Sequence, residues 1–176
     1  MLGALAAAAA LLLVGSGLAK LRSPAPVAQT LVALVPVLAR RRRRLPALAR
    51  VLGGAELAVG TAVLAVGGRV PFACLAASYL AFAAVAIRLR TGGRAVPCGC
   101  FGRVDAPVGA AHIVLNAVGA GVAAAAAAGS VGPLGGFLGP SAFVAAVGLT
   151  QVVLLAWLGY LAITALPALT GLTREV

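Results

Sequence analysis

The sequence predicts an all-α, polytopic membrane protein built as a bundle of five spans. Three observations carry this. Of 176 residues, 62% are hydrophobic and 10% are charged, against about 45–50% and about 25% in soluble domains. The apolar residues fall in runs long enough to cross a bilayer core, which takes roughly 20 residues of helix. Aromatic residues make up 5%, and no ten-residue alternating segments occur. The girdles and period-two strands of an outer-membrane barrel are therefore missing.

The first run, Leu2 to Ala19, carries no charge and ends at Lys20. It has no basic leading segment and no small-x-small cleavage site after it, so it reads as a retained helix, not a signal peptide. Leu21 to Ala39 follows, interrupted by Pro24, Pro26 and Pro36. It is too short and too broken for a span and reads as an interfacial or re-entrant segment. Five arginines, Arg40 to Arg44, precede the second span, Leu45 to Val66. Gly67-Gly68 makes a tight turn into the third span, Val70 to Ile87. A polar loop covers Arg88 to Pro107, and the fourth span covers Val108 to Ala128. A Gly/Pro-rich turn, Gly129 to Pro140, leads to the fifth, Ser141 to Leu166. All 176 residues read as one integral membrane domain.

The net charge of +11 would suggest a nucleic-acid partner in a soluble protein. Here the basic residues lie in short connections between apolar runs, so the partner they imply is the lipid bilayer and its cytoplasmic face. Of the 14 Lys and Arg residues, all but Arg69 fall on one side of the five-span arrangement. That asymmetry predicts an inner (plasma) membrane protein with the N-terminus outside. The C-terminus and the loop before the fourth span are then cytoplasmic.

That loop holds Val96-Pro97-Cys98-Gly99-Cys100-Phe101-Gly102-Arg103. Neighbouring cations favour the thiolate form of cysteine, and Arg94 and Arg103 flank the pair. A disulfide within Cys-x-Cys closes a very small ring, strained and better suited to exchange than to stapling. Cys98 and Cys100 are the candidate catalytic thiols; inert thiols in a tight turn are the rival reading. Two cysteines and one distant histidine fall short of the four ligands usual for zinc, so no metal is expected. Cys74, near the far end of the third span, reads as a small buried packing residue.

Glu56 is the acidic residue placed inside a span. Such a carboxylate is costly unless protonated or paired. Gly53, Glu56 and Gly60 share one helical face, with glycines permitting close helix approach. Lys20 ends the first helix at a similar depth and is the natural ion-pair partner. A bridge between helices and a proton-handling role are both open for the pair. His112 and Asn116, one turn apart near the start of the fourth span, share a face with Gly109 and Gly119. An imidazole there could act as a base beside the thiols; interhelical hydrogen bonding would also account for both. Gln151, Trp157 and Tyr160 read as packing or interfacial residues.

Three pieces together resemble the MauE/DoxX family of redox-associated membrane proteins. They are Gly15-Ser16-Gly17-Leu18-Ala19-Lys20-Leu21-Arg22-Ser23-Pro24, Glu56 with Gly60, and Pro97-Cys98-Gly99-Cys100-Phe101-Gly102; Pro107 and Asn116 also fit. The resemblance covers roughly residues 1–128, and the Cys-Gly-Cys-Phe-Gly run is its specific part. It implies a DoxX-like four-helix core, here extended by a fifth transmembrane helix at 141–166. It also implies a role beside thioredoxin-like proteins, as in maturation of the disulfide-rich small subunit of methylamine dehydrogenase. Cys98 and Cys100 carry over as thiols, with Glu56 and Lys20 as supporting polar residues; His112 has no firm counterpart. No cofactor is fixed, and a quinone is the candidate.

The reading that follows is thiol–disulfide or electron transfer between Cys98/Cys100 and a partner thiol protein. A non-catalytic scaffold subunit is the rival. A solute transporter fits less well, because broken helices and a polar midplane are not apparent. Stable disulfides are rare in the cytoplasm. A cytoplasmic loop must therefore take electrons from a cytoplasmic reductant or dip into the bundle.

Overall fold

The computed structural model describes residues 1–92, 108–134 and 141–165. Within them the chain is helical. The order is α1 (Leu2–Arg22), α2 (Ala25–Leu34), a 3-10 segment (Pro36–Arg44), α3 (Leu45–Ala65), α4 (Arg69–Thr91), α5 (Ala110–Ala128) and α6 (Ala142–Thr164). Five helices are long and apolar enough to span: α1, α3, α4, α5 and α6. The protein is thus an all-α, multi-pass membrane protein. At ten residues, α2 reaches only about 15 Å at 1.5 Å per residue and cannot cross. Proline at its first turn starts it, and the 3-10 segment after it is kinked at Arg41.

The spans are close to those expected, with one correction. The loop expected from Arg88 begins later, because α4 continues through Arg88 and Arg90 to Thr91. A long guanidinium can reach the aqueous interface from inside a helix end, so these charges need not terminate it.

Helix α1 is the centre of the bundle. It packs against α3, α5 and α6, while α4 pairs with α5 and touches α3. The core joins Ala6, Ala10 and Leu13 of α1 to Val63 of α3, Phe72 and Leu75 of α4, and Ala123 of α5. Small residues dominate, as expected where helices associate by close packing and not by exclusion of water. The α1–α3 seam is a close backbone-to-backbone contact between helices. A Cβ added to Gly17 would lie 2.6 Å from the Gly53 carbonyl oxygen, and one added to Gly60 would lie 2.9 Å from the Ala10 oxygen. Tyr79 bridges α4 to α1 by donating its hydroxyl proton to the Ala9 carbonyl at 2.7 Å.

At the opposite end from the arginine-rich segment two turns are tied together. Gly67 (φ +65°) and Gly68 (φ +81°) form the α3–α4 turn, where left-handed φ suits residues lacking Cβ. The Gly68 amide donates to Val131 O at 2.8 Å, and Arg69 Nε donates to Ser130 Oγ at 3.0 Å. Helix α6 is attached mainly through α1, with Val152 fully buried and most of its surface facing outward.

Candidate functional site

Lys20 lies in the last turn of α1 and Glu56 in the middle of α3. The glycine seam draws these helices together, and Lys20 Nζ sits 2.6 Å from Glu56 Oε2. Lys20 was the expected partner, and the geometry places it there. Both residues are buried, at 4% and 7% exposure. Ser16, one turn before Lys20, completes the group. Its hydroxyl donates to Glu56 Oε2 at 2.9 Å and accepts from Lys20 Nζ at 2.5 Å. The ammonium also lies 5.1 Å from the centroid of the Phe82 ring, a favourable placement against the negative face of an aromatic. Burying two opposite charges is tolerable here because each meets a counter-charge and further hydrogen bonds.

His112 and Asn116 are buried in the first half of α5. The Gly109 amide donates to His112 Nδ1 at 3.3 Å. Nδ1 is therefore the acceptor nitrogen, and Nε2 carries the ring proton. Asn116 Nδ2 donates to the His112 carbonyl at 2.6 Å, which turns its amide oxygen away as an acceptor. Neither residue reaches Glu56. Instead, both line a small cavity with Ser16, Tyr79 and Phe82. The structure thus brings Lys20 and Glu56 together through Ser16, and sets His112 and Asn116 across a cavity from Ser16. Gly119, one turn beyond Asn116, packs on Tyr79: an added Cβ would meet the ring at 2.9 Å.

Cys98 and Cys100, with Arg94 and Arg103, lie outside the described residues. Cys74 requires a correction. It was expected to be a buried packing residue, and it is exposed on the outer surface of α4. The inner face of that helix is taken by Phe72, Leu75, Ala76 and Tyr79, and position 74 points away from all four. Among the described residues no three His, Cys, Asp or Glu side chains gather into a metal-binding group.

Ser16, Tyr79 and Phe82 are site residues that the sequence reading did not single out. For Ser16 a signal existed: it stands four residues before Lys20, on the same helical face. Tyr79 and Phe82 gave none, because aromatic residues in an apolar span have no marked facing.

The model of the methylamine utilisation protein MauE family matches residues 1–129. No curated protein and no solved structure matches the chain. The family match covers α1 through α5, with Ser16, Lys20, Glu56, His112 and Asn116 inside it and α6 beyond it. With this much of its length matched, the chain belongs to the methylamine utilisation protein MauE family.

Proposed function

We propose that the protein is a redox component of the inner (plasma) membrane. It exchanges disulfides or electrons with a thioredoxin-like partner through Cys98 and Cys100, as in the maturation of methylamine dehydrogenase. The observation that carries this reading is positional. The Cys98-Gly99-Cys100 segment joins α4 to α5, and α5 opens with the buried pair His112 and Asn116. A thiolate from the pair attacks a partner disulfide, forming one mixed S–S bond and releasing one partner thiolate. The second cysteine then displaces the partner, which leaves as a dithiol, and closes the strained small ring; a second dithiol protein reopens it by the reverse exchange and is itself oxidised to a disulfide. The basic residues Lys20, Arg22, Arg40 to Arg44, Arg50, Arg88 and Arg90 gather at the end of the bundle from which that segment leaves. By the positive-inside rule that end is cytoplasmic and the N-terminus is outside.

The test is thiol trapping. Single-cysteine variants are expected to capture a thioredoxin-like protein as a mixed disulfide, identified by mass spectrometry from membranes. Absence of any adduct from both variants, with full complementation by the double variant, would replace this reading.

The rival is a non-catalytic assembly subunit. The Ser16–Lys20–Glu56 group favours it, since the two buried charges there are paired with each other, as in a static brace between helices.

A further inference from the structure

Helix α6 meets the bundle along one face. Val152, Leu155 and Ala156 pack on Ala4, Ala7 and Ala8 of α1. The rest of the helix is exposed and almost wholly apolar, as a span facing lipid should be. One side chain departs from this. Gln151 is exposed and stands ten residues into the 23-residue helix. At 1.5 Å per residue it lies about 15 Å from the helix end, near the middle of a core about 30 Å thick. Thr61, Ser78 and Thr150 are exposed within spans too, but they satisfy themselves. Each donates its hydroxyl to the carbonyl four residues back, at 2.8, 2.9 and 2.8 Å. Among the described residues the Gln151 amide has no hydrogen-bond partner. An amide left so in hydrocarbon is costly.

Two rows of alternating three- and four-residue steps pass through Gln151. One runs by Gly148 and Leu155, and Leu155 is already packed on α1. The other runs through Val144, Val147, Gln151, Leu154, Leu158 and Leu161, and every member is exposed. It covers about 26 Å of helix at 1.5 Å per residue, most of the thickness of the hydrocarbon core. This spacing is the seam of two helices wound around each other, and spans pack in the same left-handed manner. What covers the seam must also donate to and accept from an amide at mid-depth. An acyl chain does neither, and a lipid headgroup lies too far out. A second copy of the chain does both. Copies inserted in one orientation are related by a twofold axis along the membrane normal, so their α6 helices run parallel. Each seam residue then meets its own counterpart. The two Gln151 side chains face each other, each donating an N–H to the other's oxygen.

We propose that the outer face of α6 is the interface of a parallel homodimer, set in register by the paired Gln151 amides. The branched residues on either side supply the packing, and the single polar layer fixes the alignment of the two helices. Val152, Leu155 and Ala156 stay on α1, so each bundle enters the dimer intact. The interface lies beyond residues 1–129, the part matched by the family. It stands independently of the thiol chemistry proposed above.

The test uses the full chain in phosphatidylcholine vesicles. Copies labelled at the N-terminus with donor or acceptor fluorophores are diluted with lipid, and energy transfer is read against mole fraction. The expected result is saturable transfer above the level of random proximity. Gln151→Leu should raise the mole fraction for half-association by roughly three- to thirtyfold, the loss of an interhelical amide contact. Gln151→Asn keeps an amide and should fall between the two. Leucine is at home on a lipid-facing surface, so a loss of dimer in Gln151→Leu is not a loss of fold; circular dichroism checks this. A second measurement maps the face. In a Cys74→Ala/Cys98→Ser/Cys100→Ser background, Leu154→Cys should be oxidised to a disulfide dimer by copper phenanthroline. Val153→Cys is 54% exposed in the wild-type residue but off the seam. It should react at least about tenfold more slowly, since a disulfide needs Cα atoms within about 7 Å. Transfer no higher than random proximity overturns the proposal and leaves Gln151 to the helix of another protein. So does a Gln151→Leu curve equal to that of the wild type, and so do equal cross-linking rates at 153 and 154.

Discussion

Lys20 Nζ and Glu56 Oε2 meet at 2.6 Å between α1 and α3, with the Ser16 hydroxyl bonded to both. Removing one member strands a buried charge, at a cost of about 3–5 kcal/mol, whereas removing both leaves none. Glu56→Leu should therefore be severely destabilising. Glu56→Gln should be milder, because an amide still hydrogen-bonds Ser16. The Lys20→Met/Glu56→Leu double variant should recover much of the loss. Thermal unfolding of the four proteins in one detergent checks the order. A double variant no more stable than Glu56→Leu would show that the pair is not a coupled unit.

The α1–α3 seam gives a second prediction, from adjacent glycines. A Cβ at Gly53 would lie 2.8 Å from Gly17 O and 2.9 Å from Lys20 Cβ, whereas one at Gly54 meets nothing within 4 Å. Gly53→Ala should separate the helices and cost about 1–3 kcal/mol. Gly54→Ala should be neutral or stabilise by about 0.5–1 kcal/mol, through its effect on helix propensity. The same unfolding assay reads both, and equal effects at the two positions would contradict the seam.

These two cases show why part of the site was legible before the fold was known. Glu56 is the acid placed within a span, and Lys20 closes the neighbouring apolar run at a matching depth. Charge in an apolar medium leaves few choices of partner. The spans were legible as apolar runs, the first three ending at or near basic residues and the last two parted by the Gly/Pro-rich stretch 129–140. Facing was not. Helix α4 is apolar on nearly every side, so no amphipathic stripe marks which residues turn inward. Tyr79 bonding Ala9 and Cys74 facing outward follow from tertiary packing alone. The cavity joining His112 and Asn116 to Ser16 was hidden too, because α6 must be in place to complete its wall.

Topology can be tested directly. In a background lacking native cysteines, Arg94→Cys should resist an impermeant thiol reagent added outside, while Gly129→Cys should react. The reason is the charge asymmetry, which leaves Arg69 alone at the Gly67–Ser130 end of the bundle. Labelling of Arg94→Cys from outside would invert the orientation and place the thiol segment outside the cytoplasm.

The thiols give the last prediction. Cys98 and Cys100 should be reactive and coupled, with Arg94 and Arg103 favouring the thiolate. Replacing either by Ser should stop turnover, because exchange needs one sulfur to attack and a second to release the partner. The remaining cysteine should still trap the partner covalently. Cys74→Ala should retain activity. The side chain lies exposed on the outer face of α4, away from Tyr79 and the core, and its loss opens no cavity. Complementation of a deletion strain, beside mass spectrometry of trapped adducts, reads all four variants. Full complementation by Cys98→Ser/Cys100→Ser would leave the Ser16–Lys20–Glu56 brace as the functional core and favour the assembly subunit. Loss of activity in Cys74→Ala would instead place a reactive thiol on the lipid-facing side of α4, which the thiol-pair mechanism does not use.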